Sequence, residues 1–169
     1  YIIFLSFLFL PSVKAASGPV YVYHDGQNKA VSYIKQHMGS IGYSVEGRKN
    51  WDGSGLVYAL QDGKVIVYFN HGAPGIQSTY SIHKSDGWHV VSGISSTMAY
   101  GGISYNNNGV RYLGYEPNGS FRQLKLVLMF GCNTGQVTSN SGDLPALLVN
   151  KGAQTAIAWK NTVIVENDY

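Results

Sequence analysis

Charge is scarce in this chain, and so are cysteine and long apolar runs. Lys, Arg, Asp and Glu make up 12% of the 169 residues. No basic run or stripe is present, so the electrostatic footprint of a nucleic-acid binder is missing. A single cysteine, Cys132, excludes an internal disulfide. It leaves three options: a free reactive thiol, an intermolecular partner, or an inert buried residue. The apolar block at residues 1–10 is too short to span a bilayer as a helix. What is plentiful is glycine, with 21 residues, and tyrosine, with 13. Together they describe a loop-rich, hydrogen-bonding surface of low charge, common in secreted proteins. The length points to one domain with a sizeable core.

The N-terminal block is broken by Pro11. Val13-Lys14-Ala15 then fits the small-x-small pattern of a secretory cleavage site, with the cut after Ala15 or Ala16. Residues 1–16 are therefore expected to be a signal peptide, incomplete because the chain starts at Tyr1. The competing reading is a buried first strand or core helix. A leader implies a mature domain over residues 17–169, without an integral membrane segment, secreted or held in the cell envelope.

Buried strands and one-sided helices alternate through the first half. Residues 19–24 are β-branched and aromatic, and Asp25-Gly26 is a turn signal. Residues 28–38 place Ala30, Val31, Ile34 and Met38 at helical spacing, with Gly39 or Gly42 as the stop. Residues 43–46 read as a second strand. Trp51 to Leu60 predicts a short helix capped by Ser54. Residues 64–70 carry a third strand, Val65 to Phe69 being apolar throughout. Leu124 and Leu126 to Phe130 form another such run, bounded by Gly131 and Gly135. Runs of this length without alternation belong to strands covered on both faces. Asp143 is placed to cap a helix through Leu144–Val149, with Gly152 beyond its end and a buried strand over 153–159. Thr162 to Val165 is a candidate further strand. The expectation is an α/β fold, a three-layer sandwich around a mostly parallel central sheet.

Residues 73–123 differ. Asp86-Gly87 lies between Tyr80-Ser-Ile-His and Trp88-His-Val-Val, a hairpin signal. Asn108-Gly109 lies between Ile103-Ser-Tyr and Val110-Arg-Tyr-Leu, a second one. Ser95 to Tyr100 is a weak helix candidate. This segment is expected to be a β-hairpin insert after the third strand, lying over the carboxyl ends of the sheet.

Those carboxyl ends carry the chemistry, because open α/β sheets place their ligands there. One strand delivers His71-Gly72 and the other Gly131-Cys132. A thiol attacks a carbonyl as its thiolate, and a histidine within reach takes and returns the proton. A glycine beside each reactive residue leaves backbone N–H groups unshielded for a developing oxyanion. The competing reading of both is structural: a buried thiol and a satisfied strand-end histidine.

A hydrophobic block ending in His-Gly, followed later by one ending in small-residue-Cys, resembles the signature of the caspase-like (clan CD) cysteine peptidases. The stretch Leu126-Val-Leu-Met-Phe-Gly-Cys-Asn-Thr-Gly, with Asp143 to Trp159 behind it, is most similar to the CHAT-domain and gingipain-like branch. The resemblance covers roughly residues 19–165. It implies that Cys132 is the nucleophile and His71 the catalytic histidine. It places Gly72 and Cys132 as the oxyanion-hole donors, and the His and Cys strands side by side and parallel. Two departures stand out: Gly131 where Ala is common, and an end at Tyr169 before the family's next helix and strand, which implies a C-terminal truncation. Clostripain-like members carry an acidic residue two places before the cysteine; Phe130 stands there, which weighs against a basic P1 residue by that route.

Asp25, His24 and Trp159 are candidate substrate-binding residues. Asp25 is equally explained by an Asp-Gly turn, and His24 is the rival imidazole. His83 and His89 flank the hairpin turn, but two histidines without a third ligand make a poor metal site. His37 falls on a helix surface. The resemblance implies no cofactor and a protein or peptide substrate. The function expected is an exported cysteine endopeptidase working through a Cys-His dyad and a thioester acyl-enzyme. The alternative is a caspase-like fold kept as a binding or scaffolding module at the cell surface with its dyad idle. A third reading, a tyrosine-rich surface adhesin, leaves the strand–helix alternation unexplained.

Overall fold

The computed structural model of the chain describes residues 17–51, 55–97 and 109–163. Over these it is an α/β fold with two sheets. The chain opens with β1 (Gly18–His24), α1 (Asn28–Ser40), β2 (Tyr43–Lys49), α2 (Leu56–Asp62) and β3 (Val65–Phe69). It continues through β4 (Gly72–Ala73), β5 (Ile76–Lys84), β6 (Gly87–Ser95) and β7 (Val110–Tyr112). It closes with β8 (Leu126–Met129), α3 (Leu144–Asn150) and β9 (Ala156–Ala158). The central sheet has the order β2-β1-β3-β8-β9. Every pairing within it is parallel.

The apolar runs explain why. β1 and β3 alternate between two packed faces. Val20, Val22, Val65 and Val67 pack with Val31, Ile34 and Met38 of α1 on one side. Tyr21, Tyr23, Ile66 and Tyr68 pack with α2 and α3 on the other, with Leu56, Leu60, Leu144 and Leu148. A strand buried on both sides has no position where a polar residue is cheap. Each fully buried Val, Leu, Ile or Phe contributes about 1.5–3 kcal/mol.

Asp143 caps α3 as its sequence suggests: its carboxylate accepts from Ala146 N–H at 2.9 Å. Other local expectations need correction. Trp51 is not helical; α2 begins only at Leu56, after Gly55 at φ +69°. The Trp51 carbonyl instead accepts from the Thr79 and Ser92 hydroxyls. Ser54, expected as the cap, lies outside the described residues. Helix α1 runs through Gly39, and Gly42 takes the turn at φ +96°. Ser95 ends β6 rather than starting a helix, while residues 98–100 lie outside the described range. Of the candidate strand Thr162–Val165, Thr162 and Val163 are in no strand, and 164–165 lie outside the described residues. Residues 1–16, the expected leader, are also outside the described range.

The second sheet has the order β4-β5-β6-β7. β5 and β6 form the hairpin turning at Ser85-Asp86, antiparallel with a register shift near Tyr80. β7 runs parallel to β6. Its expected hairpin partner near Ile103 falls outside the described residues. Ile94 and Leu113 join the core beneath α2 and α3, which anchors the second sheet to the first. No helix among the described residues is long and apolar enough to cross a membrane.

Candidate functional site

β3 and β8 pair in parallel with Tyr68 opposite Met129. The pairing carries on by one step, where Phe130 N–H donates to the Tyr68 carbonyl at 2.9 Å. Phe69 and Phe130 stack at 5.0 Å. In that register His71 and Cys132 leave the sheet at equivalent positions, each three residues past its partnered strand residue. The loops that carry them touch. A Cβ on Gly131 would lie 3.0 Å from Gly72 Cα, and one on Gly72 would lie 2.9 Å from the Cys132 carbonyl oxygen. Glycine at both positions is what lets the backbones approach.

Three buried polar side chains join these loops. Asn70 accepts from His71 N–H at 2.9 Å and donates to the Thr79 carbonyl at 3.1 Å. The Gln77 amide donates to the carbonyls of Ser78, His71 and Asn70 at 3.0, 3.3 and 3.4 Å. Its oxygen lies 3.4 Å from the Thr134 hydroxyl, which donates to the Gly131 carbonyl at 2.8 Å. Gln77 and Thr134 are wholly buried. Buried polar groups that are satisfied hold a geometry, because any other arrangement strands them. Sequence reasoning missed all three. Their signal was faint: Asn70 and Thr134 are ordinary neighbours of His71 and Cys132, and Gln77 becomes interior only once β5 packs beside β3.

His71 is half-buried. Its Nε2 lies 3.6 Å from Asp25 Oδ2. Trp88, reaching over from β6, stacks on the ring at 3.9 Å between centroids. Burial lowers the His71 pKa from its ordinary value, with the Asp25 carboxylate pulling the other way. Gly72 faces Gln77 across the β4–β5 ladder. Ser78 N–H donates to the His71 carbonyl at 3.0 Å, carrying the ladder on by one bond, while His71 N–H goes to Asn70 instead. By the alternation of an antiparallel ladder, 72 and 77 are then a non-bonded pair, and Gly72 N–H turns away from β5.

Cys132 is a free thiol, half-buried. It lies between the backbone groups of Val163, whose N–H points at Sγ from 3.4 Å and whose carbonyl oxygen is at 3.5 Å. Asn133, directly after it, has φ +58°, a left-handed turn that asparagine tolerates. The segment 159–163 runs along this turn. Asn133 N–H donates to the Asn161 carbonyl at 3.1 Å, and Gly135 N–H to Trp159 at 2.9 Å. Trp159 packs edge-on against Phe130 at 5.7 Å. Residues 159–163 line an open groove of about 320 Å³, and Val163, at its edge, is the residue that also touches the thiol.

The remaining candidates fall elsewhere. His24 is 5% exposed, and its ring lies with Val31 over Gly47, beneath α1. Its Nδ1 has no hydrogen-bond partner. Burial and the Lys49 charge lower its pKa. His83 and His89 do not meet: His83 lies opposite Trp88 and edges its ring, while His89 Nε2 sits 2.6 Å from Asp86 Oδ1. His37 stacks on Tyr33 at the surface of α1. Among the described residues, no group of three His, Cys, Asp or Glu could hold a metal ion.

No protein-family model matches this chain, and no curated protein or solved structure does either.

Proposed function

We propose that the chain is an exported cysteine endopeptidase of caspase-like type, with Cys132 as nucleophile and His71 as general acid–base. In this reading residues 17–169 form the peptidase domain and the β5–β6 hairpin is its insert over the site. The observation that carries the reading is the β3–β8 register, which ends two adjacent parallel strands in His-Gly and Gly-Cys at matched positions.

The chemistry follows from that placement. The thiol proton passes to the His71 imidazole, and the thiolate attacks the scissile carbonyl carbon. Gly72 and Cys132 N–H groups donate to the oxyanion. The imidazolium then protonates the leaving amine, leaving a thioester on Cys132. Water, deprotonated by the same imidazole, hydrolyses the thioester and restores the thiol. The substrate is a protein or peptide, and Trp159 with its groove offers apolar contact beside the thiol.

The test is hydrolysis of a mixed peptide library by folded variants. Cys132→Ala is expected to abolish cleavage. His71→Ala is expected to lower kcat by about 10²–10⁴-fold, the usual worth of general acid–base catalysis. His24→Ala is expected to do less than either. Cleavage by folded Cys132→Ala would end the peptidase reading.

One observation favours a second reading, an idle binding module at the cell surface. The thiol is already flanked by the Val163 backbone. Labelling by a thiol-reactive peptide electrophile, dependent on His71, separates the two: the idle module stays unlabelled.

A further inference from the structure

β2 is an outermost strand of the central sheet, and among the described residues β1 is its only strand partner. Which backbone groups face away from β1 follows from the register. His24 pairs with Lys49, and Asn50 N–H donates to the His24 carbonyl at 2.9 Å. Residues that bond a given neighbour alternate along a strand. Ser44, Glu46 and Arg48 therefore turn their N–H and C=O groups inward to β1, and Val45, Gly47 and Lys49 turn theirs outward. A bare row of this kind is a template for another strand. The side chains carry a second pattern. Glu46 and Arg48 share one face, where the Glu46 carboxylate accepts from Arg48 Nε at 2.7 Å. Arg48 lies over the Tyr21 ring at 4.1 Å and the Trp51 ring at 4.5 Å, which holds it in place. Gly47, between the two charges, faces α1, and a Cβ there would lie 2.8 Å from Val31 Cγ1. Charge blunts an edge when it meets its like. Here opposite charges flank one residue, so the row is complementary to itself when reversed.

We propose that the free edge of β2 binds the β2 edge of a second copy of this chain, antiparallel and centred on Gly47, merging the two central sheets into one. In that register Gly47 faces Gly47, and Val45 of each copy faces Lys49 of the other. Each of these pairs exchanges N–H and C=O groups. The pairs between them set Glu46 of each copy opposite Arg48 of the other. Those are the non-bonded pairs of the ladder, where Cα atoms approach to about 4.5 Å and side chains come closest. Charges on the shared face then alternate in sign, and each carboxylate has a guanidinium on either side. Centring on Glu46 or on Arg48 would set like charges face to face, which is destabilising. Centring on Val45 would leave Glu46 opposite Ser44. Charge therefore picks one register. The contact is isologous and closes on itself. Packing does not oppose it. α1 covers Val20 and Val22 of β1, and β1 would lie about 14 Å from its copy, the span of the strand spacings between them. Packed helices touch at about 8–10 Å, so the two α1 helices clear each other. His71 and Cys132 follow β3 and β8, beyond β1, and the proposal stands independently of the peptidase reading.

The full chain is followed by sedimentation velocity from about 1 μM to 1 mM, the range suited to a small edge contact. The wild type is expected to pass from monomer to dimer. Glu46→Arg sets Arg against Arg and is expected to weaken the dimer by about a hundredfold. Arg48→Glu sets Glu against Glu and is expected to do the same. Mixed together, the two variants are expected to form a heterodimer, because each then meets its opposite charge. Arg48→Glu gives up the aromatic contacts and can cost the fold, so Lys49→Pro supplies a second test. It removes an outward N–H and leaves the ladder to β1 intact. It is expected to stay monomeric with an unchanged circular dichroism spectrum. Amide hydrogen exchange locates the contact: Val45, Gly47 and Lys49 are expected to exchange fast in the monomer and slowly in the dimer. A wild type that stays monomeric throughout overturns the proposal. So does a dimer that survives folded Glu46→Arg and Lys49→Pro. Slow exchange of those amides in the monomer shows the edge covered by the chain's own residues, and overturns it as well.

Discussion

At the scale of single residues, Gly72 is the most constrained position of the site. A methyl group there would collide with the Thr134 hydroxyl and press on the Gly131–Cys132 backbone. Nothing in that contact is a flexible side-chain end except Thr134 itself, which is tied to Gly131. Gly72→Ala is therefore expected to push the two strand ends apart, destabilising the fold by about 1–3 kcal/mol as overpacking does. If the peptidase proposal holds, the cost in kcat is expected to exceed what that loss of folded protein explains. Urea unfolding and turnover measured on the same preparation check this. The adjacent strand ends that carry His71 and Cys132 were legible from sequence, because each follows an apolar run beside a glycine. The approach of Asp25 to His71 was not. A turn aspartate looks the same whether or not an imidazole, 46 positions later in the chain, comes to rest beside it.

At the scale of elements, the hairpin strand β5 acts as a buckle between the loops that carry His71 and Cys132. Gln77 supplies it: one amide serves three carbonyls, and its oxygen faces Thr134. Gln77→Leu keeps the volume and removes the donors, leaving buried carbonyls unpaired. The expected cost is about 1–3 kcal/mol, seen as a lower denaturant midpoint. Faster amide hydrogen exchange at Ser78, whose N–H bonds the His71 carbonyl, is expected with it. The parallel strands were readable as elements because burial on both faces leaves a continuous apolar run. The second sheet was harder. Ser78, Thr79, Ser92 and Ser95 are buried and polar, so β5 and β6 show no clean alternation. The Ser78 and Ser95 hydroxyls find partners two or three residues on, while Thr79 and Ser92 meet only across the β5–β6 ladder. Trp51 was misread for a related reason: local apolar spacing continued a helix, while its carbonyl is required by Thr79 and Ser92.

For the molecule as a whole, the two lowered histidines set a pH dependence. His24 is depressed by burial first, then by Lys49, with Asp25 opposing and Lys35 adding a little. His71 is depressed by burial. A folded pKa below the unfolded value of about 6.5 means that the native state binds fewer protons than the unfolded one in that interval. Stability is then fully present above about pH 6.5 and is lost as the pH falls from there towards the depressed folded values. Denaturant midpoints are expected to drop between pH 7.5 and pH 5, and the drop is expected to shrink in His24→Gln. An equal drop in the variant would remove His24 from the account.

The central sheet joins Val65 to Leu126 across a long stretch of intervening chain. During synthesis the imidazole therefore leaves the ribosome well before the thiol exists. β1, α1, β2, α2 and β3 can form local βαβ units as they emerge, whereas the β3–β8 contact must wait for a large loop to close, which is slow. The meeting of His71 with Cys132 is thus timed by translation: the two residues come together only after β8 has been made and has found its place beside β3.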